Sequence, residues 1–300
     1  MAGNSNNMRG AFLMMAAMIA FTVNDAFVKA LAGQVGLFQV VFVRGIATCI
    51  LLTIFAWFSG AFSRRVSLKD WIIIGLRAAS EVAAAILFIT ALFHMPFASV
   101  SAILQALPLA VTLAGALFLG EKVGWRRMLA IVVGFSGVLL IVRPGTSSFD
   151  AYSIYPVLAV VVVTFRDLSA RRLSGHVPSM TVALATAVIV TAFAGIASLR
   201  EPWVTLDSHS YSLLGLAAVF VVGGYLFSVM TMRTGEISFV APFRYTSLLV
   251  AMALGFFIFD EWPDTLTLIG SGIVVATGAF TLYREHNASR RKGPVPLRAR

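Results

Sequence analysis

The sequence predicts an all-α, polytopic membrane protein: ten transmembrane helices arranged as two inverted five-helix repeats, with both termini in the cytoplasm. Three observations lead to this prediction, namely the composition, ten long apolar stretches, and the placement of lysine and arginine. Of the 300 residues, 59% are hydrophobic and 12% are charged, and the mean hydropathy is +0.90. Because a soluble domain carries about 25% charged residues, this composition argues strongly against a soluble enzyme and excludes a disordered chain.

Ten stretches have the length and apolar character of membrane-spanning helices, which need about 20 residues each. They lack the alternation over about ten residues that membrane strands show. The first is not a cleaved signal peptide, because it is too long and contains Asn24, Asp25 and Lys29. The predicted spans are 10–31, 37–58, 71–93, 97–119, 125–143, 153–172, 178–199, 211–232, 237–259 and 265–283.

The basic residues predict the orientation, since cytoplasmic loops of membrane proteins are enriched in lysine and arginine. With the N-terminus inside, 16 of the 23 basic residues fall in cytoplasmic segments, five fall within spans, and only Arg143 and Arg200 are external. The five tryptophans all lie at span ends, as an aromatic belt requires. The formal charge of +10 is therefore mainly a signal of orientation, and nucleic acid is not an expected partner.

The two halves of the chain resemble each other weakly at a shift of about 140 residues. Residues 21–25 align with 163–167, and residues 120–122 align with 260–262. Five spans per half is an odd number, so the second copy is inverted in the membrane, an arrangement typical of transporters. The sequence thus divides into a cytoplasmic N-terminus (1–9), a first five-helix repeat (10–145), a second (150–284) and a basic cytoplasmic tail (285–300).

Several of these motifs resemble the drug/metabolite transporter superfamily, and its EamA-type branch in particular. The similarity covers about residues 8–285 and includes Asn24-Asp25 near the end of the first span, Gly120-Glu121 closing the fourth, and the segments 98–108 and 137–145. The resemblance implies a multi-pass transporter of the bacterial inner membrane, with a cavity lined by the third, fourth, eighth and ninth spans. Within the branch, the chain looks most like bacterial metabolite importers, riboflavin transporters among them.

Charged residues inside the spans are the candidate functional groups, because each costs about 2.5–3.5 kcal/mol at the bilayer centre unless it is paired or hydrated. Asp25 and Lys29, and likewise Arg77 and Glu81, have the i,i+4 spacing of an ion pair on one helix face. The first pair is equally compatible with helix pairing or coupling, and the deeper second pair favours a binding site. Arg44 needs a partner on another helix, such as Asp25 or Glu81. Arg166 and Asp167, nearer a basic loop, favour a structural role.

A substrate-binding set follows from these residues and from the resemblance. Arginine binds carboxylate, phosphate or imide oxygens with two donors, and tyrosine or glutamine would orient a ring or an amide; both tyrosines are equally compatible with ordinary packing. The net +2 of the span charges favours a substrate with anionic or electron-rich oxygens, and Glu81 or Asp25 could couple transport to protons. The predicted set is Arg77, Glu81, Gln105, Tyr225, Arg244 and Tyr245, with Asp25, Lys29 and Arg44 in coupling or helix pairing.

These features predict a secondary transporter that moves a small polar or aromatic metabolite by alternating access, with riboflavin uptake as the first candidate. The alternative is an exporter of amino acids, drugs or related metabolites on the same fold. An enzyme is not predicted, because the sequence has no catalytic grouping, no nucleotide-binding loop, and only Cys49 and four scattered histidines. We expect no cofactor or metal, a monomer or homodimer, and contact only with lipid and the small-molecule substrate.

Pro108 and Pro242 should bend the fourth and ninth spans.

Overall fold

The computed structural model describes residues 2–60, 66–118, 120, 123–146, 149–170, 172–174, 177–234 and 237–291. Across these residues the protein is helical and contains no strand. Ten of its helical segments are long and apolar enough to cross a membrane, as the sequence predicts. Glu121 of the repeat motif, Arg171 and the tail beyond residue 291 lie outside the described residues.

The membrane-spanning parts of the helices agree with the predicted spans to within a few residues, but α1 begins at Ala2, so most of the predicted N-terminal segment 1–9 is helical. The last helix continues beyond the predicted span, so the first part of the predicted tail is helical. In chain order the helices are α1 (Ala2–Lys29), α2 (Leu37–Phe58), α3 (Leu68–His94), α4 (Phe97–Leu104), α5 (Leu107–Phe118), α6 (Trp125–Val142), α7 (Ile154–Ala170), α8 (Ser179–Ser198), α9 (Ser208–Thr234), α10 (Ile237–Val240), α11 (Thr246–Phe259) and α12 (Thr265–Arg291).

The fourth and ninth spans are interrupted where the sequence places proline. α4 ends at Leu104 and α5 begins at Leu107, because the ring of Pro108 clashes with the carbonyl four residues earlier and the proline cannot donate to it. Pro242 lies in a 3-10 turn, Ala241–Tyr245, that precedes α11. The amide of Gln105 donates to the hydroxyl of Ser247 at 2.6 Å, so the two interruptions are joined across the bundle.

Helices from the first half of the chain pack mainly against helices from the second half. The closest pairs are α1 with α9, α3 with α7, α2 with α8, and α6 with α12. Glycines allow the last pair to approach, since a Cβ on Gly270 would lie 2.6 Å from the carbonyl oxygen of Gly137. These four helix pairs form the largest part of the interface between the two halves, and α3 with α8, α2 with α9 and α1 with α11 add to it.

Successive membrane-spanning helices run in opposite directions, so the connections between them lie at the two ends of the bundle. We call the end that holds the start of α1 the amino-terminal end; it also holds the α2–α3, α5–α6 and α7–α8 connections. The far end holds the α1–α2, α3–α4, α6–α7, α8–α9 and α11–α12 connections. These two names are used below to place the polar groups.

Candidate functional site

A cavity of about 530 Å³ lies between α2, α3, α8 and α9, where the two halves of the chain meet. It extends from Ala170, Leu173 and Val177 at the amino-terminal end to the middle of the bundle. Aliphatic side chains form most of its wall, and its ionisable groups are Arg44, Arg77, Glu81 and Tyr225. The cavity therefore combines an apolar wall with a few polar groups, as small-molecule sites do.

Within the described part of the chain, Arg77 on α3 is held by a single hydroxyl group. Its Nη1 donates to Oγ1 of Thr186 on α8 at 2.8 Å, and that hydroxyl donates in turn to the carbonyl of Val182 at 2.8 Å. No carboxylate of the described residues forms an ion pair with Arg77. Since a guanidinium has five N–H donors, Arg77 retains donors for a molecule in the cavity.

The predicted pair between Arg77 and Glu81 is wrong, because Glu81 pairs with a different helix. Nη1 of Arg166 on α7 lies 2.8 Å from Oε2 of Glu81. Arg166 also donates from Nε and Nη2 to Oδ1 of Asp167, at 2.9 and 2.8 Å. The packing of α7 against α3 brings Arg166 within reach, while Arg77 turns toward α8. Arg166 and Asp167, predicted to be structural, therefore hold a cavity residue in place.

Arg44 on α2 is bound to the end of α1. Its Nη1 donates to Oδ1 of Asn24 at 2.9 Å, and the Asn24 amide donates to Oδ1 of Asp25 at 2.8 Å. Asp25 and Glu81 are both close enough to attract the Arg44 charge. Tyr225 on α9 completes the polar lining, and its ring packs edge-on against Phe21 of α1, with centroids 5.4 Å apart.

The predicted pair between Asp25 and Lys29 is also wrong. Lys29 lies at the far end, where its Nζ is 2.9 Å from Oε1 of Glu261 and donates to the carbonyl of Met95 at 2.6 Å. Oε2 of Glu261 also accepts from the backbone N–H of Phe97, at the start of α4. The Lys29 side chain is only 8% exposed, so it needs this partner, whereas Asp25 is directed to Asn24 and Arg44.

Three predicted binding residues lie away from the cavity, at the interrupted spans. Gln105 bonds to Ser247, Arg244 is exposed, and Tyr245 is 7% exposed with its hydroxyl against Gly278. Within the described part of the chain, that hydroxyl has no hydrogen-bond partner. The structure thus brings together Arg44, Arg77, Glu81 and Tyr225, but does not bring these three to them.

The charge around the cavity is balanced, contrary to the expectation of a net positive site. Three arginines and three acidic residues surround it, namely Arg44, Arg77, Arg166, Asp25, Glu81 and Asp167. The surplus of two positive charges counted in the spans belongs to Lys29 and Arg244. Neither residue lines the cavity, so the cavity has no net positive charge that would favour an anionic substrate.

Polar contacts between the two halves hold the far end together. Besides the Lys29–Glu261 pair, Glu201 accepts from the backbone N–H of Phe38 at 3.1 Å. The amide of Gln39 donates to the carbonyl of Val204 and accepts from its N–H, at 2.7 and 3.1 Å. Arg143 contacts Asp264. These contacts join the connections at the far end to the starts of α2, α4 and α12.

Sequence reasoning missed Thr186 as the partner of Arg77. A threonine in an apolar span usually bonds its own helix, as Thr186 does, so nothing in its local sequence marks it as a cavity residue. No group of three possible metal ligands occurs among the residues that the structure describes.

The ten spans and the cavity between the two halves define a multi-pass membrane transporter. The chain belongs to the EamA-like transporter family, whose model matches residues 8–143 and again residues 152–283. This agrees with the resemblance to the drug/metabolite transporter superfamily found in the sequence.

Curated relatives cover nearly the whole chain but differ in cargo and direction. The S-adenosylmethionine uptake transporter of Rickettsia conorii is 27% identical over 288 residues, which cover 94% of this chain and 95% of the relative. The pseudopaline exporter CntI of Pseudomonas aeruginosa is 27% identical, covering 92% and 96%. The riboflavin transporter of Vibrio cholerae is 27% identical, covering 95% and 96%. All three are named as transporters and none as an enzyme.

A solved crystal structure shares the fold of this chain. It is 17% identical in sequence, superposes with a TM-score of 0.64, and covers 95% of this chain and 99% of its own. At this identity the match concerns the fold alone.

Proposed function

We propose that this protein is a secondary transporter of the bacterial inner membrane that carries a small polar or aromatic metabolite through the cavity by alternating access. The observation that carries the proposal is Arg77, which faces the cavity between the two halves and, among the residues that the structure describes, is held by the hydroxyl of Thr186 alone. A charged group at this depth is costly. If Arg77 binds a substrate oxygen, the charge that is costly to bury serves substrate recognition.

The inverted repeat belongs to this proposal, with boundaries at 10–145 and 150–284. The family model matches the chain twice, over two ranges of similar length. The helix pairs are also reciprocal. The first, second, third and fifth helices of the first repeat (α1, α2, α3 and α6) correspond to α7, α8, α9 and α12 of the second. If each helix is exchanged for its counterpart, the α1–α9 pair becomes the α7–α3 pair, and the α2–α8 and α6–α12 pairs are unchanged. Such reciprocity is expected when two inverted copies pack about a pseudo-twofold axis.

The orientation of the cavity follows from the basic residues. If both termini are cytoplasmic, as the distribution of lysine and arginine predicts, the amino-terminal end faces the cytoplasm. The cavity would then reach the cytoplasmic side, while the Lys29–Glu261 and Gln39–Val204 contacts close the external side. We therefore assign this structure to an inward-facing state of the transport cycle.

The proposed substrate is a small molecule with at least one carboxylate, phosphate or imide oxygen for Arg77. The cavity volume of about 530 Å³ lies within the usual range of about 300–1,000 Å³ for small-molecule sites. Because the surrounding charge is balanced, neutral and zwitterionic molecules fit as well as anions. Riboflavin has imide oxygens, and S-adenosylmethionine has a carboxylate, so these two compounds are the first candidates for uptake.

Export of a related metabolite is the second candidate function. It is favoured by the pseudopaline exporter, which is as similar to this chain as the riboflavin transporter is, at 27% identity. The balanced cavity is compatible with either direction.

Reconstituted vesicles test the proposal. Purified protein is inserted into liposomes and offered labelled riboflavin, S-adenosylmethionine and a panel of amino acids, with and without a pH gradient and without ATP. We expect at least one compound to enter faster than in protein-free liposomes, and to exchange with the same unlabelled compound inside. A proton-coupled carrier would also respond to the gradient. Absence of entry and exchange for the whole panel would contradict the substrate class.

A further inference from the structure

A second cavity of about 680 Å³ lies on the other side of the α3–α7 pair from the functional site. α3 separates the two cavities: Ile73 and Leu76 face this second cavity, while Arg77 and Glu81 face the first. We call it the lateral groove. Its wall is formed by residues of α3, α5, α6 and α7, including Leu113, Ala114, Phe135, Val161 and Phe165.

The wall of the lateral groove is apolar along almost its whole length. Its two hydroxyl groups are already bonded within α7, that of Thr164 to the carbonyl of Val160 and that of Ser169 to the carbonyl of Phe165. Leu117 at the rim is 68% exposed and Val161 is 60% exposed. The groove therefore opens toward the hydrocarbon of the bilayer, and an acyl chain can fill it without leaving a polar group unsatisfied.

One cation lies at the end of the groove. Residues of α7 line it from Val157 to Ser169, and Arg172, two residues beyond the end of α7 at Ala170, also lines it. Arg172 is exposed, and no carboxylate among the described residues forms an ion pair with it. Arg126 and Arg127, at the start of α6, are further basic residues at this amino-terminal end.

We propose that the lateral groove is a binding site for an anionic phospholipid. One acyl chain lies between α5 and α7, and the phosphate accepts hydrogen bonds from the guanidinium of Arg172. Basic pockets between membrane helices bind anionic head groups in this way, and arginine holds phosphate with paired donors. The site is distinct from the substrate cavity and does not depend on which substrate is carried.

Native mass spectrometry tests this site. The protein is reconstituted in vesicles of equal amounts of phosphatidylethanolamine and phosphatidylglycerol, released, and its retained lipid is counted. We expect the wild type to retain phosphatidylglycerol preferentially. Arg172→Gln should retain it about fivefold less, which is the contribution expected from one arginine near an anionic head group. Arg200→Gln, a matched exposed arginine at the far end, should retain it as the wild type does.

A second variant tests the apolar part of the groove. Leu113→Trp fills the groove and should reduce retention of both lipids, whereas Val132→Trp, on the exposed side of α6, should not. Thermal unfolding of each variant confirms that it is folded before its lipids are counted. Equal phosphatidylglycerol retention by the wild type and Arg172→Gln, or by Leu113→Trp and Val132→Trp, would overturn the proposal.

Discussion

Each ionisable residue around the cavity is stabilised by a group on another helix or by its sequence neighbour, and not by the residue one turn away. Arg77 bonds to Thr186 of α8, and Glu81 pairs with Arg166 of α7. The sequence identifies these residues, because an unpaired charge in the membrane is costly. It does not identify their partners, because the partner depends on which helices pack together and on how each is rotated about its axis.

The Lys29–Glu261 pair gives a direct test at this scale. Replacing Lys29 by methionine leaves a carboxylate that is only 28% exposed without its cation. We expect the free energy of unfolding to fall by about 3 kcal/mol, the lower part of the range for breaking a buried pair, measured by thermal unfolding in detergent. The double variant with Glu261→Gln should lose less than the sum of the two single losses.

Lys69→Met is the control for this experiment. Lys69 is exposed and forms no ion pair among the described residues, so its replacement should change the free energy of unfolding by no more than about 0.5 kcal/mol. Equal effects of Lys29→Met and Lys69→Met would contradict the assigned pair.

Whole helices are more predictable than side-chain contacts in this protein. The ten spans follow from hydropathy to within a few residues, and the interruptions of the fourth and ninth spans follow from Pro108 and Pro242. The link between the two interruptions, Gln105 to Ser247, was not predictable, because it joins residues 142 positions apart. The sequence also does not show which glycines are packing contacts, since that depends on the neighbouring helix.

Substitution of two glycines on α12 distinguishes the effect of helix packing on stability from the effect of helix propensity. A Cβ on Gly270 would lie 2.6 Å from the carbonyl oxygen of Gly137, whereas a Cβ on Gly272 would meet nothing within 4 Å. We expect Gly270→Ala to destabilise the protein by about 1–3 kcal/mol through overpacking. Gly272→Ala should be neutral or stabilise it by up to about 1 kcal/mol. Thermal unfolding of the two variants distinguishes them, and a loss of stability in Gly272→Ala alone would refute the assigned α6–α12 contact.

At the scale of the whole molecule, the transport proposal rests on the difference between the two ends. Contacts between the halves hold the far end, and the cavity reaches the amino-terminal end. The basic residues predict which end is cytoplasmic, but they do not predict the state of the cavity. That state depends on contacts such as Gln39 with Val204, which join residues 165 positions apart in the sequence.

Cysteine labelling tests the proposed orientation. Single cysteines replace two exposed residues in a Cys49→Ser background: Lys69 at the amino-terminal end and Arg200 at the far end. With a membrane-impermeant maleimide on intact cells, Arg200→Cys should react, and Lys69→Cys should react only after the membrane is permeabilised. The reverse pattern would invert the assigned topology.

Transport by paired arginine variants tests the central claim most directly. Arg77 lines the cavity with free donors, and Arg244 is exposed near the ninth-span interruption, away from the cavity. Uptake of the transported compound is measured in vesicles that contain equal amounts of folded Arg77→Gln, Arg244→Gln or wild-type protein. Losing a charge-assisted hydrogen bond of about 1.5–3 kcal/mol should reduce uptake by Arg77→Gln at least about tenfold at limiting substrate, while Arg244→Gln transports as the wild type does. Wild-type uptake by Arg77→Gln, or an equal loss in Arg244→Gln, would contradict the assignment of the cavity as the transport site.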